Sequence, residues 1–423
     1  MGLGPSRSPR TCPDFDRSPS IVGGRMRILV MSSRIPFPLE KGDKLRLFHQ
    51  LKHLSEEHEV ILCCLSSKDA TPAQREALSP WVHELHVYRL SWMRRLWRMA
   101  WAWASDKPFQ VVWFTEPRIQ RQIRDLAARS APDVIYGQLV RCAEYVKDLH
   151  EVPKVLDYMD ALSAGMHRRA NNETRLVMKP YQWLLRTEGT RLARYESRVF
   201  DYFDGATIIS RNDRLLIPHG DRDRIELVPN GVDLSAFSPA ESAPEGDPVL
   251  LFTGNMSYAP NVDAAHHLVE HILPLVKHPG VRVVLAGAQP KASVQALASE
   301  RVTVTGWVDD IAAEYRAATL FVAPLRIGTG LQNKVLEAMA AEVPCVLSPH
   351  AFAPLNLPST GHAVVCQDAA AFAEAVDDLL GASVEARDMA RRAKRSIEGQ
   401  FAWRTHSQTL SELLIRIAGH ASV

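Results

Sequence analysis

The chain has 423 residues, of which 46% are hydrophobic and 23% are charged, and its formal net charge is +2. This is the composition of a globular protein with sizeable cores, and its length suggests two domains. The near-neutral charge provides no global field that would favour nucleic acid, and no apolar run reaches the roughly 18 residues of a membrane-spanning helix.

Residues 1–25 are rich in Pro, Ser, Gly and Arg and lack the apolar centre of a signal peptide. We expect a disordered tail there, with Met26 as an alternative start immediately before the first strand. None of the six cysteines has C-x-x-C or metal-ligand spacing. This usage favours a reducing compartment, and we expect a cytoplasmic protein.

Short apolar runs alternate with helical stretches along the first half of the chain. A helix is expected at about 43–54, after a loop that contains Gly42. Such alternation predicts βαβ units and a parallel sheet. The predicted strands are 27–33, 59–65, 134–136, 154–158, 206–209 and 225–228.

The alternation restarts after a segment rich in Ser, Pro, Ala and Glu, which we interpret as a linker at 235–248. The predicted strands of this half are 249–252, 281–286, 302–305, 320–322 and 344–347, followed by helices from about 369 and 384. We therefore predict an α/β protein with two Rossmann-like, doubly wound domains at 26–234 and 249–400. The last segment, 401–423, is expected to be a helix that crosses back onto the first domain.

Ligands of open α/β sheets bind beyond the carboxyl ends of the strands, so the loops there are the candidate sites. Gly42, after the first strand, permits close backbone approach, and Asp43 is suited to cap the next helix. Gly254 has the same place in the second half, where Asn261 or Asp263 is suited to start a helix. The alternative for both loops is an ordinary turn without a ligand.

A stronger signal runs from 322 to 341, where a strand is followed by Gly328, Thr329 and Gly330 and then by a helix. Amides at such a helix start, together with the helix dipole, suit a diphosphate. Arg326 and Lys334 are placed to neutralise phosphate charge. Glu337 shares a helix face with Lys334 and is able to accept hydrogen bonds from two ribose hydroxyls. The alternative is a solvated Lys–Glu pair on a surface helix.

Two carboxylates, Asp157 and Asp160, follow a strand of the first half. They are candidates for catalysis because the carboxyl end of that strand is expected to face the second domain across a cleft. The alternatives are that Asp160 caps a helix or that a buried Asp fixes a loop.

An aromatic and basic helix is predicted at 91–103, with the sequence SWMRRLWRMAWAW. At helical spacing Arg94, Arg95 and Arg98 form one face, and Trp and Leu occupy much of the rest. Such a helix suits an anionic membrane surface and hence a lipid-linked acceptor. The alternative is a helix packed on the sheet with solvated arginines. The basic stretch 186–198 either shares that surface or forms a solvated helix face.

The stretch GTGLQNKVLEAMAAEVPCVLS, at 328–348, resembles the donor-binding segment of family 4 (group 1) glycosyltransferases, which have the GT-B fold. VPNGVD at 228–233 is similar to the sequence between the two domains of that family. GNM at 254–256, AG at 286–287 and TGWVDD at 305–310 occur in the expected order before the donor segment. The opening strand and the HEVILCC segment at 58–64 match as well, and the resemblance covers roughly 26–400.

The resemblance implies a nucleotide-sugar donor that is held mainly by the second domain. Glu337 corresponds to the carboxylate that binds the ribose hydroxyls, and Gly330 and Leu331 lie near the amides that meet the diphosphate. Lys334 corresponds by position to a phosphate contact, and Val308 lies in the loop beside the nucleobase.

The same resemblance assigns further positions. Gly254 and Asn255 join the donor-binding set, and Gly42 corresponds to the glycine loop of the first domain. Asp160 lies where many relatives carry a histidine near the reacting sugar, so it is the catalytic candidate. Relatives retain the anomeric configuration without an obvious enzymic nucleophile, which implies front-face attack assisted by the leaving diphosphate.

The chain departs from the family at two places. Thr329 stands where the family often has a Glu that binds the donor sugar, so that contact cannot be carried over, although we keep Thr329 among the donor-binding positions. YAPNV at 258–262 lacks the usual Arg and Lys, and Arg326 and Lys334 are the candidates to replace them.

We therefore expect a glycosyltransferase of exopolysaccharide, capsule or glycolipid biosynthesis that uses a saccharide or lipid-linked acceptor. We expect no cofactor and no metal requirement, no nucleic acid partner, and contact with the inner face of the cytoplasmic membrane through 92–103. The alternatives are a nucleotide-sugar 2-epimerase and a non-catalytic scaffold that binds sugar nucleotides. A nicotinamide dehydrogenase is disfavoured because no G-x-G-x-x-G follows the first strand.

Overall fold

A computed structural model describes residues 25–172, 178–240, 246–327, 331–358 and 360–420. The predicted tail up to residue 24 and the loop positions Gly328, Thr329 and Gly330 lie outside these residues. Within them, no helix combines the length and the hydropathy needed to cross a bilayer.

The first half of the described chain forms a seven-stranded parallel sheet. Its strands pair in the order β3-β2-β1-β4-β5-β6-β7. In the central strand, Leu29 pairs with Ile61 on one side and Ile135 on the other. The strands are β1 (Arg27–Ser32), β2 (Glu59–Ser66), β3 (Glu84–Arg89), β4 (Val134–Gln138), β5 (Lys154–Met159), β6 (Gly205–Ile208) and β7 (Glu226–Leu227).

Helices cover both faces of this sheet, which is why its central strands are apolar along their whole length. On one side the core includes Leu47 and Leu51 of the first helix, and on the other Ile119 and Ile123 of the fifth. The helices are α1 (Gly42–Glu57), α2 (Pro72–Leu78), α3 (Trp92–Ala102), α4 (Phe109–Phe114), α5 (Pro117–Ser130), α6 (Ala143–Val146), α7 (Leu162–Asn172), α8 (Lys179–Phe200) and α9 (Arg211–Leu216).

The second half forms a six-stranded parallel sheet in the described residues, in the order β10-β9-β8-β11-β12-β13. The strands are β8 (Val249–Thr253), β9 (Arg282–Ala286), β10 (Val302–Gly306), β11 (Leu320–Ala323), β12 (Cys345–Leu347) and β13 (Val364–Val365). The helices are α10 (Ala259–His266), α11 (Ala292–Gln295), α12 (Ile311–Ala317), α13 (Asn333–Ala340), α14 (Pro349–Phe352), α15 (Ala369–Gly381), α16 (Ser383–Gln400) and α17 (Trp403–His420).

Both sheets reverse their strand order beside the central strand, between β1 and β4 in one and between β8 and β11 in the other. The crevice at such a reversal is where ligands of doubly wound sheets bind. The prediction of two doubly wound, Rossmann-like domains is confirmed.

The last helix returns to the first sheet, as predicted. Leu410, Leu413 and Leu414 of α17 are buried in the same core as Leu47 and Leu51 of α1. The chain therefore crosses between the domains twice, and the two crossings lie side by side. The amide of Val232 donates to the carbonyl of Phe401 at 2.7 Å.

Several local predictions were wrong. Asp43 does not cap α1, which begins at Gly42 after Lys41; Asp43 lies in the first turn and pairs with Arg34 at 2.7 Å. Asn261 and Asp263 do not start α10, which begins at Ala259. The strands β3 and β13 had no counterpart among the predicted elements.

Candidate functional site

Two glycines bring the carboxyl ends of β8 and β9 together. Gly254 and Gly287 both have positive φ, of 149° and 137°, and a Cβ on Gly287 would lie 2.1 Å from the carbonyl oxygen of Gly254. A Cβ on Gly254 would lie 2.6 Å from Asn261 and 3.1 Å from the Lys334 ammonium. Gly254 is thus required so that α13 and its lysine can close over the end of the central strand.

Lys334 is buried at the strand reversal between β8 and β11, with 9% of its surface exposed. Its Nζ donates to Oδ1 of Asn261 at 2.5 Å and lies 4.9 Å from the centre of the Phe252 ring. Burial lowers the pKa of Lys334 to about 8, against the opposing effect of Glu337. At neutral pH the site therefore holds a positive charge that no carboxylate neutralises by direct contact within the described residues.

Glu337 lies one turn further along α13, and Tyr315 holds its carboxylate in place. The buried Tyr315 hydroxyl donates to Oε2 of Glu337 at 2.9 Å and lies 2.6 Å from Oγ1 of Thr253. Burial raises the pKa of Glu337, while the Tyr315 hydrogen bond and Lys334 oppose that shift. No described residue hydrogen-bonds Oε1, so this oxygen is available to a ligand. The alternative of a solvated surface pair is wrong because Lys334 is buried.

Arg326, the second predicted phosphate cation, is already paired. Its guanidinium forms a bidentate contact with Asp263, with Nη2–Oδ1 at 2.6 Å and Nε–Oδ2 at 3.0 Å. This pairing raises the pKa of Arg326. Lys334 is therefore the better candidate for neutralising a bound phosphate.

Asn255, Val308 and Leu331 follow β8, β10 and β11 at the same edge. Asn255 accepts at Oδ1 from the amide and hydroxyl of Ser257, at 2.9 and 2.6 Å, so its side chain shapes its own loop. Val308 and Leu331 are half-buried and pack against the second core. Thr329 and Gly330 lie outside the described residues.

Gly42 is the first residue of α1 and is exposed. A Cβ there would meet the Met159 methyl at 3.5 Å, an ordinary contact, so the protein's own packing does not require this glycine. Its predicted role toward the donor stays a prediction.

The two carboxylates at the end of β5 have different environments. Asp157 is fully buried within the strand and holds the Arg46 guanidinium in a two-point ion pair, at 2.7 and 3.1 Å. Tyr136 and Thr207 donate to it as well. These contacts favour the alternative that Asp157 is a buried carboxylate that fixes local structure, which leaves Asp160 as the catalytic candidate.

Asp160, the second of these carboxylates, has an oxygen without a hydrogen-bond partner among the described residues. Its Oδ1 is buried and receives no hydrogen bond from any described residue. Burial, reinforced by the negative charge of Asp213, raises the pKa of Asp160 to about 6. The preceding Met159 has a positive φ of 64°, a conformation that costs energy for a residue with a side chain. The site thus holds a carboxylate at a strand end whose charge is disfavoured by burial, an effect that Arg141 and Arg168 offset only in part.

The arginines of the aromatic helix α3 contact neighbouring groups of the protein, and Arg95 and Arg98 are partly buried. Arg94 pairs with Glu116 at 2.7 Å, Arg98 donates to the Thr115 carbonyl, and Arg95 lies over the rings of Trp113 and Phe114 at 5.2 and 6.0 Å. The alternative of solvated arginines on a helix packed against the sheet is wrong in its packing partner, and of the three arginines only Arg94 is exposed. α3 packs on α4 instead.

The opposite face of α3 is apolar and exposed. Trp92, Trp97 and Trp101 expose 67%, 72% and 65% of their surface. Beyond the helix end, Trp103 stacks on Trp183 of α8, with ring centres 5.9 Å apart. This surface, which we call the tryptophan face, is made of Trp92, Met93, Leu96, Trp97, Trp101, Trp103 and Trp183.

Reasoning from sequence missed three residues that build the site. Tyr315, Asn261 and Arg46 hold Glu337, Lys334 and Asp157, respectively. Each contact joins residues at least 22 positions apart in the chain, and no local pattern identifies such partners. Within the described residues there is no group of His, Cys, Asp and Glu that could hold a metal ion.

Comparison with known proteins adds to this geometry. Residues 247–382 match the family described as "Glycosyl transferases group 1". Over 244 residues, half of this chain, the sequence is 25% identical to spore coat protein SA of Bacillus subtilis (strain 168), and the match spans 62% of that protein's length.

Solved structures match over nearly the whole chain. Sucrose-phosphate synthase from Thermosynechococcus elongatus superposes with a TM-score of 0.67 at 15% identity, covering 94% of this chain and 100% of that one. Anabaena HepE, solved in complex with UDP, superposes with a TM-score of 0.65 at 15% identity, covering 92% and 99%. HepE has also been solved in complex with UDP-glucose. These likenesses show the fold.

Proposed function

We propose that this chain, which has the GT-B fold and a second domain that matches the group 1 glycosyltransferases, transfers a sugar from a nucleotide-sugar donor to a saccharide or lipid-linked acceptor. One observation carries the proposal. Lys334 and Glu337 lie together where the strand order reverses, with an uncommitted positive charge and a free carboxylate oxygen. That pair suits the diphosphate and the ribose of one ligand.

The donor class is supported by a structural neighbour. Anabaena HepE has been solved with UDP and with UDP-glucose. In our proposal Glu337 binds the ribose hydroxyls, Lys334 neutralises the diphosphate, and the Trp307–Val308 loop lies beside the base. Thr329, Gly330 and Leu331 keep their proposed places beside the diphosphate.

For the reaction we propose retention of configuration by front-face attack. The departing diphosphate accepts the acceptor proton, and the protein stabilises the charges that develop on both fragments. Asp160 is proposed to offset the positive charge on the sugar ring, because its carboxylate has no protein partner at Oδ1. We propose that Lys334 and backbone amides replace a metal ion, so that turnover persists in EDTA.

We also propose that the enzyme works in the cytoplasm against a membrane surface, on a lipid-linked acceptor of polysaccharide or glycolipid biosynthesis. The tryptophan face supports this, because exposed Trp side chains favour the water–lipid interface. Exposed basic residues of α8, Arg186 and Arg194, border the same region and suit anionic headgroups.

Replacement of Glu337 by Ala tests the donor assignment. Nucleotide binding should weaken about tenfold, because two hydroxyl hydrogen bonds to a charged group are lost. A thermal-shift screen of UDP-, GDP-, ADP- and dTDP-sugars first identifies the base, and calorimetry then measures the affinity. The matched control is Glu374→Ala, an exposed carboxylate on α15.

Unchanged nucleotide affinity in Glu337→Ala contradicts the assignment. Donor consumption separates the remaining alternatives. A transferase consumes donor only with acceptor present, a 2-epimerase consumes it alone, and a scaffold binds it without turnover.

A further inference from the structure

A polar cavity lies in the first domain beside the strand β1. It is on the side of β1 that faces β2 and β3, away from β4. It has a volume of about 300 Å³ and opens at the carboxyl ends of β1, β2 and β3. Arg34 follows β1 there, Ser66 ends β2, and Leu90 follows β3. Of the predicted donor positions only Gly42 belongs to this domain, and it is not among the residues that line the cavity, so the donor assignment does not account for the cavity.

The cavity is lined by more positive than negative charge. Four cationic side chains line it, against a single acidic one among its described lining residues, Glu40. Arg34 is partly neutralised by Asp43 outside the lining, at 2.7 Å. Lys44 forms no ion pair with a described residue, and burial lowers its pKa. The cationic residues are Arg34, Lys41, Lys44 and Arg95.

Arg95 enters the cavity from the tryptophan helix and is held in place by stacking. Its guanidinium lies 6.0 Å from the centre of the Phe114 ring, which also lines the cavity. Its Nε is buried and has no hydrogen-bond partner in the described residues. A fixed guanidinium with an unused donor suits an anionic oxygen.

Arg141 connects the cavity with the candidate catalytic carboxylate. Its guanidinium packs on the same Phe114 ring, 5.0 Å from the centre, and its Nε is also buried without a described partner. Arg141 is close enough to act electrostatically on both Arg34 and Asp160. The cavity and Asp160 are thus linked by Arg141, which packs on a ring that lines the cavity and acts on the carboxylate.

We propose that this cavity binds a phosphate group of the acceptor, held by Arg34, Lys44 and Arg95. The inference rests on the proposed function in one respect, namely that the acceptor occupies the first domain. α3 presents Arg95 to the cavity and tryptophans to the outside, so one helix serves both the phosphate and an adjoining apolar surface. The phosphate belongs to a soluble sugar phosphate or to a lipid phosphate.

The test is phosphate affinity of the full chain, with inorganic phosphate as the probe. Calorimetry is carried out in a Lys334→Gln background, so that the donor side of the cleft contributes little. Adding Lys44→Gln and Arg95→Gln should weaken phosphate binding about tenfold or more, because two charged contacts are lost. Arg124→Gln, an exposed arginine of α5, is the matched control and should leave the affinity unchanged.

Arg95→Lys keeps the positive charge and serves as a control for misfolding. It should retain most of the phosphate affinity and have an unchanged melting temperature.

Vesicles of phosphatidylcholine with and without phosphatidic acid show whether the bound phosphate comes from a lipid or from a soluble sugar phosphate. Loss of phosphatidic-acid-dependent retention in the Lys44→Gln, Arg95→Gln variant indicates a lipid phosphate, and unchanged retention with lost phosphate binding indicates a soluble one.

Equal phosphate affinity with and without Lys44 and Arg95, or an equal loss in Arg124→Gln, overturns the inference. Nucleotide binding by the wild-type chain is measured separately and depends on Glu337. Failure of the phosphate site is therefore distinguishable from failure of the proposed transferase function.

Discussion

Asp160 has a carboxylate whose surroundings favour its neutral form. Burial and Asp213 raise its pKa from 3.8 to about 6. Between these two pH values the native state binds more protons than the unfolded state, so this group's contribution to stability falls as pH rises through the window. The full cost is present above about pH 6, where the carboxylate is charged. Such a cost is expected where a charge serves the reaction.

Asp160→Asn should therefore stabilise the fold while it impairs turnover. We expect a gain in unfolding free energy at neutral pH on the order of 1–3 kcal/mol, from the pKa shift, and a loss of turnover of about a hundredfold. Denaturant unfolding and steady-state kinetics measure the two effects. Wild-type turnover should rise as pH increases through about 6, whereas the variant should lack that rise.

Asp148→Asn, an exposed change after α6, is the control and should leave both quantities unaltered. A variant that is as active as the wild type would remove Asp160 from the mechanism.

The residue types of the donor site were predictable, but their partners were not. The glycines, Lys334 and Glu337 follow strands in an order that identifies a nucleotide-binding edge. The ion pair that occupies Arg326, in the loop after β11, joins it to Asp263 of α10, 63 residues earlier. Likewise Asp157 and Asp160 are three positions apart and look equivalent in sequence, and only the buried Arg46 separates their roles.

Among the elements, α3 is unusual for a surface helix, because its charged side chains contact the protein and its large apolar side chains face solvent. Arg94 pairs with Glu116, Arg98 donates to the Thr115 carbonyl and Arg95 lies over aromatic rings, whereas the tryptophans of the helix remain exposed. Because these arginines are occupied, insertion of the tryptophans should contribute more to membrane binding than the charge of α3 does.

Trp97→Glu combined with Trp101→Glu should abolish most flotation with liposomes, since two charges would enter the interface in place of rings. Val384→Glu, an exposed apolar position on α16, is the matched control and should float like the wild type. Flotation of wild type should also survive moderate salt better than a purely electrostatic contact does. Equal flotation of the tryptophan variant and the control would contradict membrane contact through this face.

The central strands were predictable, as were the edge strands β7 and β10, but the edge strands β3 and β13 were not. Residues 28–32 of β1 are buried and nearly all apolar, so the run is visible in the sequence. The edge strand β3 of the first sheet is only partly buried and reads ELHVYR, and β13, an edge strand of the second sheet, has two residues. An edge strand is covered less completely and needs fewer apolar side chains, so its pattern resembles that of a loop.

At the scale of the whole molecule, the two crossings between the domains touch through their backbones at Gly231. A Cβ at this position would lie 2.6 Å from the Trp403 amide nitrogen and 2.8 Å from the Phe401 carbonyl oxygen. Neither atom belongs to a flexible side chain, so the two segments would have to separate.

Gly231→Ala should therefore lower the free energy of unfolding by about 1–3 kcal/mol, the usual cost of overpacking. Denaturant titration followed by tryptophan fluorescence is the measurement. Gly220→Ala is the control, because a Cβ at Gly220 meets no atom within 4 Å. Equal stability of the two variants would show that the crossings are not tightly joined.

The buried Arg46 has a mechanical consequence. Besides its ion pair with Asp157, it donates to the Val228 carbonyl at 2.8 Å and to the Asn230 side chain at 3.1 Å. The first crossing is thereby anchored to the middle of the first sheet, and His49 stacked on Trp403 secures the second crossing to α1. Rotation of one sheet against the other must then pivot beyond these anchors, on the side of the second domain. In our proposal the second domain would then be the part that moves, and it would carry the nucleotide toward an acceptor that stays fixed on the first domain.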